Sequence, residues 1–319
     1  MNIIDAHSHC IFPEYIDLLA KYKALLEDGF PLPKDWSIEK QLELMDEGNI
    51  SWSMLSLSSP HPYFGNKKES IRICRQINEK LAEAKRKYPD RIGFGACLPL
   101  PDVDAAIEEA VYALDILGAD SIKLGSNARG QYLGDPALEP LFENLDKRHA
   151  VVNIHPHRPE PQKEGIFTAG PVPIFEFLCD TTRAVLNMAA HGVIERYPHI
   201  KVIVPHNGSF LPNIYDRLKG VAGLLISQGL MDPFDVEKSF SMFYYDTSGN
   251  PVPVLLKFLL NIAEPSHILY GTDYPFTPKK TVLANLRTLE AYLENEPALR
   301  PYKHMILHDN AIRLFNLKI

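Results

Sequence analysis

Eight short apolar, β-branched runs recur along the chain, each followed by a stretch with helical spacing. The runs are NIIDAHSH (2–9), SWSMLSLS (51–58), RIGFGACLPL (91–100), ADSIKLGS (119–126), AVVNIHPH (150–157), KVIVPHNG (201–208), MFYYDTSG (242–249) and HILYGTDY (267–274). Near-continuous apolar character marks strands covered on both faces, as in a parallel sheet. Between the runs, Ile71, Cys74, Ile77, Leu81 and Ala84 share one helical face. So do Val282, Leu286, Leu289 and Leu293, and so do Val254, Leu255, Phe258, Leu259 and Ile262. Eight strand–helix pairs predict an α/β fold, a single (β/α)8 TIM barrel spanning residues 1–319 as one domain. A doubly wound open sheet is the competing arrangement, but no G-x-G-x-x-G follows the first run. Two connections are long, residues 10–49 and the Pro-rich 155–173. On the C-terminal face of a barrel such insertions form loops and lids over the active site.

Bulk properties narrow the partners. The 319 residues are 45% hydrophobic, enough for a large core, and the net charge of −7 comes with no basic stripe or tail. A nucleic-acid partner is therefore not expected. No basic-then-apolar leader opens the sequence, and no apolar run has the length of a membrane span. Four cysteines (Cys10, Cys74, Cys97, Cys179) lie far apart without a C-x-x-C, which reads as free thiols in a reducing compartment. The expectation is a cytoplasmic protein acting on a small molecule, away from membranes, with homo-oligomerisation left open.

The polar residues concentrate at strand ends. In IIDAHSHC, Asp5, His7 and His9 occupy alternate positions and share a face of the strand. An H-x-H pair on a strand can reach one metal ion, although exposed histidines on an edge strand would give the same pattern. The fifth run ends in His155, the sixth in His206 and the eighth in Asp273. In a barrel these ends meet at one face. Any single buried histidine is ordinarily structural, but four histidines and an aspartate at strand C-termini point together to a metal site. Imidazoles plus a carboxylate suit one divalent ion, Zn²⁺ first, with Mn²⁺, Fe²⁺ or Co²⁺ also accommodated. Asp5 either orients an imidazole from behind or forms a core salt bridge.

This layout resembles the metal-dependent amidohydrolase superfamily, down to HDNAIRLFNL (308–317), which looks like its closing helix. Within it the chain looks like the amidohydrolase-related decarboxylase branch, which holds aminocarboxymuconate semialdehyde decarboxylase and 6-methylsalicylate decarboxylase-like proteins. The segments carrying this are LPLPDVDAAIEEAVYALDILGAD (98–120), YLGDPALEPLFENLDKRHAVVNIHP (132–156), DTTRAV (180–185) and YGTDYPF (270–276). The resemblance implies His7, His9, His155 and Asp273 as metal ligands, with His206 as the neighbouring acid/base and Asp273 sharing in catalysis. Residues 10–49 contain no arginine, whereas the semialdehyde enzyme uses one there for a substrate carboxylate, so a different substrate is expected.

Other residues carry weaker signals. Lys123 stands where binuclear amidohydrolases carry a carboxylated lysine bridging two metals, although a barrel salt bridge or an outward side chain explains it equally. His61, after the second strand, touches substrate or caps the mouth. Arg183 clamps a carboxylate or pairs with Asp180. His157 and Arg158 line the mouth or sit exposed.

The leading functional expectation is a carboxy-lyase: non-oxidative decarboxylation of a small hydroxylated aromatic or muconate-like carboxylic acid. Without an electron-accepting cofactor, the carbon losing CO₂ must be protonated, and Asp273 or water relayed by His206 would supply the proton. The alternatives are a metal-dependent hydrolase of a lactone, ester or amide on the same ligands, and a non-enzymatic barrel that binds a small acid. The last is disfavoured because burying this polar set without use costs stability.

Overall fold

The computed structural model describes residues 2–160 and 169–319, so part of the Pro-rich lid segment, 161–168, lies outside the described residues. All eight expected strands form: β1 Ile3–Cys10, β2 Ile50–Leu57, β3 Ile92–Cys97, β4 Ser121–Gly125, β5 Val151–His155, β6 Lys201–Val204, β7 Tyr244–Asp246 and β8 Ile268–Leu269. Each pairs in parallel with the next. The chain beyond β8 then closes the circle against β1. Ala6 N donates to Tyr270 O at 2.8 Å and His9 N to Tyr274 O at 2.7 Å. A hairpin of Asn127–Ala128 with Gln131–Tyr132 is an addition that the strand pattern does not announce.

The helices pack outside the strands, as amphipathic segments between parallel strands must. Lys279–Asn295 buries Val282, Leu286, Leu289 and Leu293 as expected. Lys67–Lys87 buries Ile73, Cys74, Ile77, Leu81 and Ala84, with Asn66 capping Glu69 N. Ile71 is only half-buried, because Ile73 takes its place on the inward face. The expectation for 254–262 fails in its choice of face. The helix there is short, Leu255–Leu259, and turns Leu256 and Leu259 inward, so Val254, Leu255 and Phe258 remain exposed.

Inside the barrel, Ile4, Ala6, Trp52, Met54, Val151, Ile203 and Leu269 pack with Ala311 and Phe315 of the final helical segment. The Trp52 and Phe315 rings lie 5.3 Å apart, closing the N-terminal end. Apolar side chains fill that end, so the polar strand termini at the opposite end are where a ligand can enter. Among the described residues, no helix is long and apolar enough to cross a membrane.

Candidate metal centre

Three histidines and an aspartate converge at the open end. His7 and His9, two residues apart on β1, face the same interior point, His155 ends β5, and Asp273 follows β8 in a left-handed turn at φ 56°. One ligand atom from each lies within 4.8 Å of all the others. His7 Nε2 is 3.0 Å from His9 Nε2, and Asp273 Oδ1 is 3.1 Å from His9 Nε2 and 3.7 Å from His7 Nε2. Gly271 makes this approach feasible, since a Cβ there would meet the His7 Cβ at 2.8 Å.

The rear nitrogens set the tautomers. His7 Nδ1 lies 2.7 Å from Asp246 Oδ2, His9 Nδ1 3.3 Å from Ser56 O, and His155 Nδ1 2.9 Å from Pro156 O. Carboxylates and carbonyls only accept, so each Nδ1 carries the proton and each Nε2 is left for the shared centre. Two imidazole lone pairs cannot face each other at 3.0 Å with nothing between them, so a proton or a cation must sit there. Burial would lower His7, but the charge and hydrogen bond of Asp246, with Asp273, raise it to about 9. Burial holds His9 down at about 4 and His155 well below the usual histidine range. Asp273, despite burial, is held far below the usual carboxylate range by His206, His9 and His7. Mostly neutral imidazoles around an ionised carboxylate form a donor set that fits one divalent cation.

Two positions behind the cluster differ from expectation. Asp5 neither orients an imidazole nor forms a salt bridge. It is fully buried and accepts from His7 N, Ser8 Oγ, Ser53 Oγ, Thr272 N and Thr272 Oγ1, tying β1 to β2 and to the chain after β8. Asp246, at the end of β7, holds His7 instead, and its other oxygen accepts from His206 N, Ser248 N and Ser248 Oγ. Asp246 obeys the same end-of-strand rule as the histidines, at the end of its own strand.

His206 stands beside the cluster rather than within it, with Nε2 3.8 Å from Asp273 Oδ2 and Nδ1 buried without a partner among the described residues. Lys123 is buried and does not join the ligand set. Its Nζ donates to His157 Nε2 at 2.8 Å and Ser58 O at 3.3 Å, and burial lowers it to about 8. His61 bonds Leu100 O at 2.7 Å and lines a small side cavity with His157 and Arg158. Arg183 lies 3.6 Å from Asp180, half-exposed on its helix and outside the main cavity lining.

The main cavity, about 480 Å³, opens above the cluster and is lined by His155, His206 and Asp273 at its polar end. Phe30, Phe177, Phe210 and Phe276 wall the rest, and no lysine or arginine lines it among the described residues. Asp28, from the long first loop, also lines it; the sequence gives no sign of this. Burial, helped by the charge of Glu27, raises its carboxyl to about 6, against a donor in Ser59 and the charges of Arg158 and Lys123. An Asp raised in the fold costs nothing below its unfolded value of 3.8. The cost grows with pH and is complete above about 6, where it is on the order of 3 kcal/mol. Asp28→Asn therefore melts higher than the parent above pH 6, with the difference vanishing near pH 4. Thermal melts across pH 4–8 check this, and a constant difference would contradict it.

Comparison with known proteins agrees with this architecture. The amidohydrolase family profile matches residues 4–317. Decarboxylase yanB of Aspergillus niger is 34% identical, over 99% of this chain and 88% of that protein. The 6-methylsalicylic acid decarboxylase of Penicillium expansum is 31% identical, over 92% of this chain and 90% of its own. The crystal structure of an amidohydrolase II superposes with a TM-score of 0.90 at 36% identity, covering 99% of this chain and all of that one. The family match runs from residue 4 to residue 317, nearly the whole barrel described above, and the chain belongs to the amidohydrolase family.

Proposed function

We propose that the protein is a metal-dependent, non-oxidative decarboxylase of a small hydroxylated aromatic acid carrying a single carboxylate. The observation that carries this reading is the convergence of His7, His9, His155 and Asp273 beneath a phenylalanine-walled cavity without a lysine or arginine in its described lining. The relatives named as decarboxylases support it. So does the described lining, which offers no lysine or arginine to pair a second substrate carboxylate.

His7, His9, His155 and Asp273 would hold one divalent ion, with zinc the ion we favour for an imidazole-rich set. When bound, it supplies Lewis acidity that neutralises and orients the substrate's adjacent oxygens. The phenylalanines hold the ring and exclude water. His206 holds a proton at Nε2, facing both the cavity and Asp273 Oδ2. It delivers that proton to the ring carbon bearing the carboxylate, directly or by way of Asp273. The C–C bond then breaks, its electron pair restores the aromatic ring, and CO₂ leaves. His206 regains its proton from solvent.

The test is a screen of metal-reconstituted protein against hydroxybenzoates, muconates and lactones, following CO₂ release and ring opening. CO₂ from at least one hydroxybenzoate is expected, with loss of the activity on chelation and its return with metal. Turnover of lactones or amides alone would replace this reading with a hydrolase.

A further inference from the structure

Asp28 differs from the other aspartates buried near the site. Asp5 accepts five hydrogen bonds, and Asp246 is engaged by His7, by His206 N and by Ser248. Asp180 accepts from Ser126, Asn127 and Tyr132. Asp28 is 8% exposed and has one side-chain hydrogen bond among the described residues, from Ser59 Oγ to Oδ2 at 2.8 Å. No lysine, arginine or histidine among them lies within 4.0 Å of it. A carboxylate can accept about four hydrogen bonds, and leaving that capacity unused in a buried place is costly. Asp28 lines the main cavity, whose wall also includes Phe30, Leu32 and Phe276, and borders the side cavity of His61, His157 and Arg158 as well.

Its position relative to the metal centre is set by two consecutive serines. Ser58 Oγ lies 3.4 Å from His155 Nε2, and Ser59 holds Asp28. One dipeptide thus ties the Asp28 carboxyl and the imidazole cluster to the same stretch of chain, and both Asp28 and His155 line the main cavity. Glu27, the nearest second acid, has Arg158 at 4.0 Å. An acid with unused acceptor capacity on a phenylalanine-walled cavity matches a neutral donor better than an ammonium group, whose charge that wall would desolvate.

We infer that Asp28 is a specificity-determining residue, accepting a hydrogen bond from a ring hydroxyl of the substrate other than the one adjacent to the carboxylate. This rests on the decarboxylase reading for the identity of the ring, although binding alone can test it. A hydroxyl donor relieves the burial that holds the carboxyl toward its protonated form. A methyl group at the same place leaves an acceptor buried without a partner, the asymmetry by which polar sites reject apolar analogues.

The test uses the full chain with bound divalent metal and a positional series of dihydroxybenzoates, each paired with its methyl-for-hydroxyl counterpart. The parent is expected to favour the hydroxylated member at one ring position by about 10²-fold in kcat/KM. Asp28→Leu should cut that hydroxyl-to-methyl ratio at least ~30-fold. Asp28→Asn, which still accepts through its amide oxygen, should fall between the two. Titration of the matching dihydroxybenzene and methylphenol by calorimetry reads the same ratio without any turnover. If no hydroxybenzoate releases CO₂ but the binding ratio still falls in Asp28→Leu, the decarboxylase reading fails and the role of Asp28 stands. If both variants keep the parent's ratio in turnover and binding, or change all compounds alike, the role of Asp28 is overturned.

Discussion

Replacing His155 by alanine will leave a folded barrel that retains less than about a tenth of the parent's divalent metal and has no measurable turnover. His155 presents one of four ligand atoms gathered within 4.8 Å, fixed in its tautomer by Pro156 O. Removing a donor from a four-donor site is a larger loss than disturbing the partner behind one, which typically costs 10–100-fold in metal affinity or activity. Asp246→Asn, which loosens His7 without deleting a donor, should fall in that smaller range. Elemental analysis after gel filtration, with circular dichroism to confirm the fold, separates the two cases. Unchanged metal content in both His7→Ala and His155→Ala would refute the ligand set.

His206→Asn will keep the metal and lose about 10²- to 10⁴-fold in kcat, the range typical of an acid/base group. Asparagine is the replacement of choice because residue 206 sits at φ 55°, a left-handed conformation that asparagine tolerates and most residues do not. The backbone contacts of residue 206 to Asp246 and Ser248 can therefore persist. Loss of metal in this variant would move His206 into the ligand set, and full activity would remove it from the mechanism.

The barrel was legible because strands buried on both faces are apolar along their length, whatever else the chain does. The same property exposed the site, since a histidine or aspartate ending such a run stands out: His7, His9, His155, His206 and Asp273 were all visible this way. Asp246 carried the same signal in MFYYDTSG. That signal does not distinguish a residue facing the shared centre from one acting on the rear of an imidazole, which leaves no spacing of its own. Asp5 misled for the complementary reason: sharing a face with His7 does not decide whether a carboxylate meets a ring or backbone amides. Helix faces were ambiguous where the apolar residues outnumbered one stripe, so Leu256 rather than Leu255 went inward near residue 255. Asp28 lay beyond reach, because it sits between the helices Pro13–Lys21 and Ile38–Glu47 of the first long connection, where no periodicity ties a residue to a cavity wall.

In the proposed decarboxylation, the carbon bearing the carboxylate takes a solvent proton as CO₂ departs. Turnover in D₂O, followed by NMR of the product, tests it directly, with a parallel reaction in ¹⁸O-labelled water. One deuterium at the carbon that carried the carboxylate, stoichiometric CO₂ and no ¹⁸O in the organic product are expected. A product bearing ¹⁸O, with no carbon deuteration and no CO₂, would contradict it.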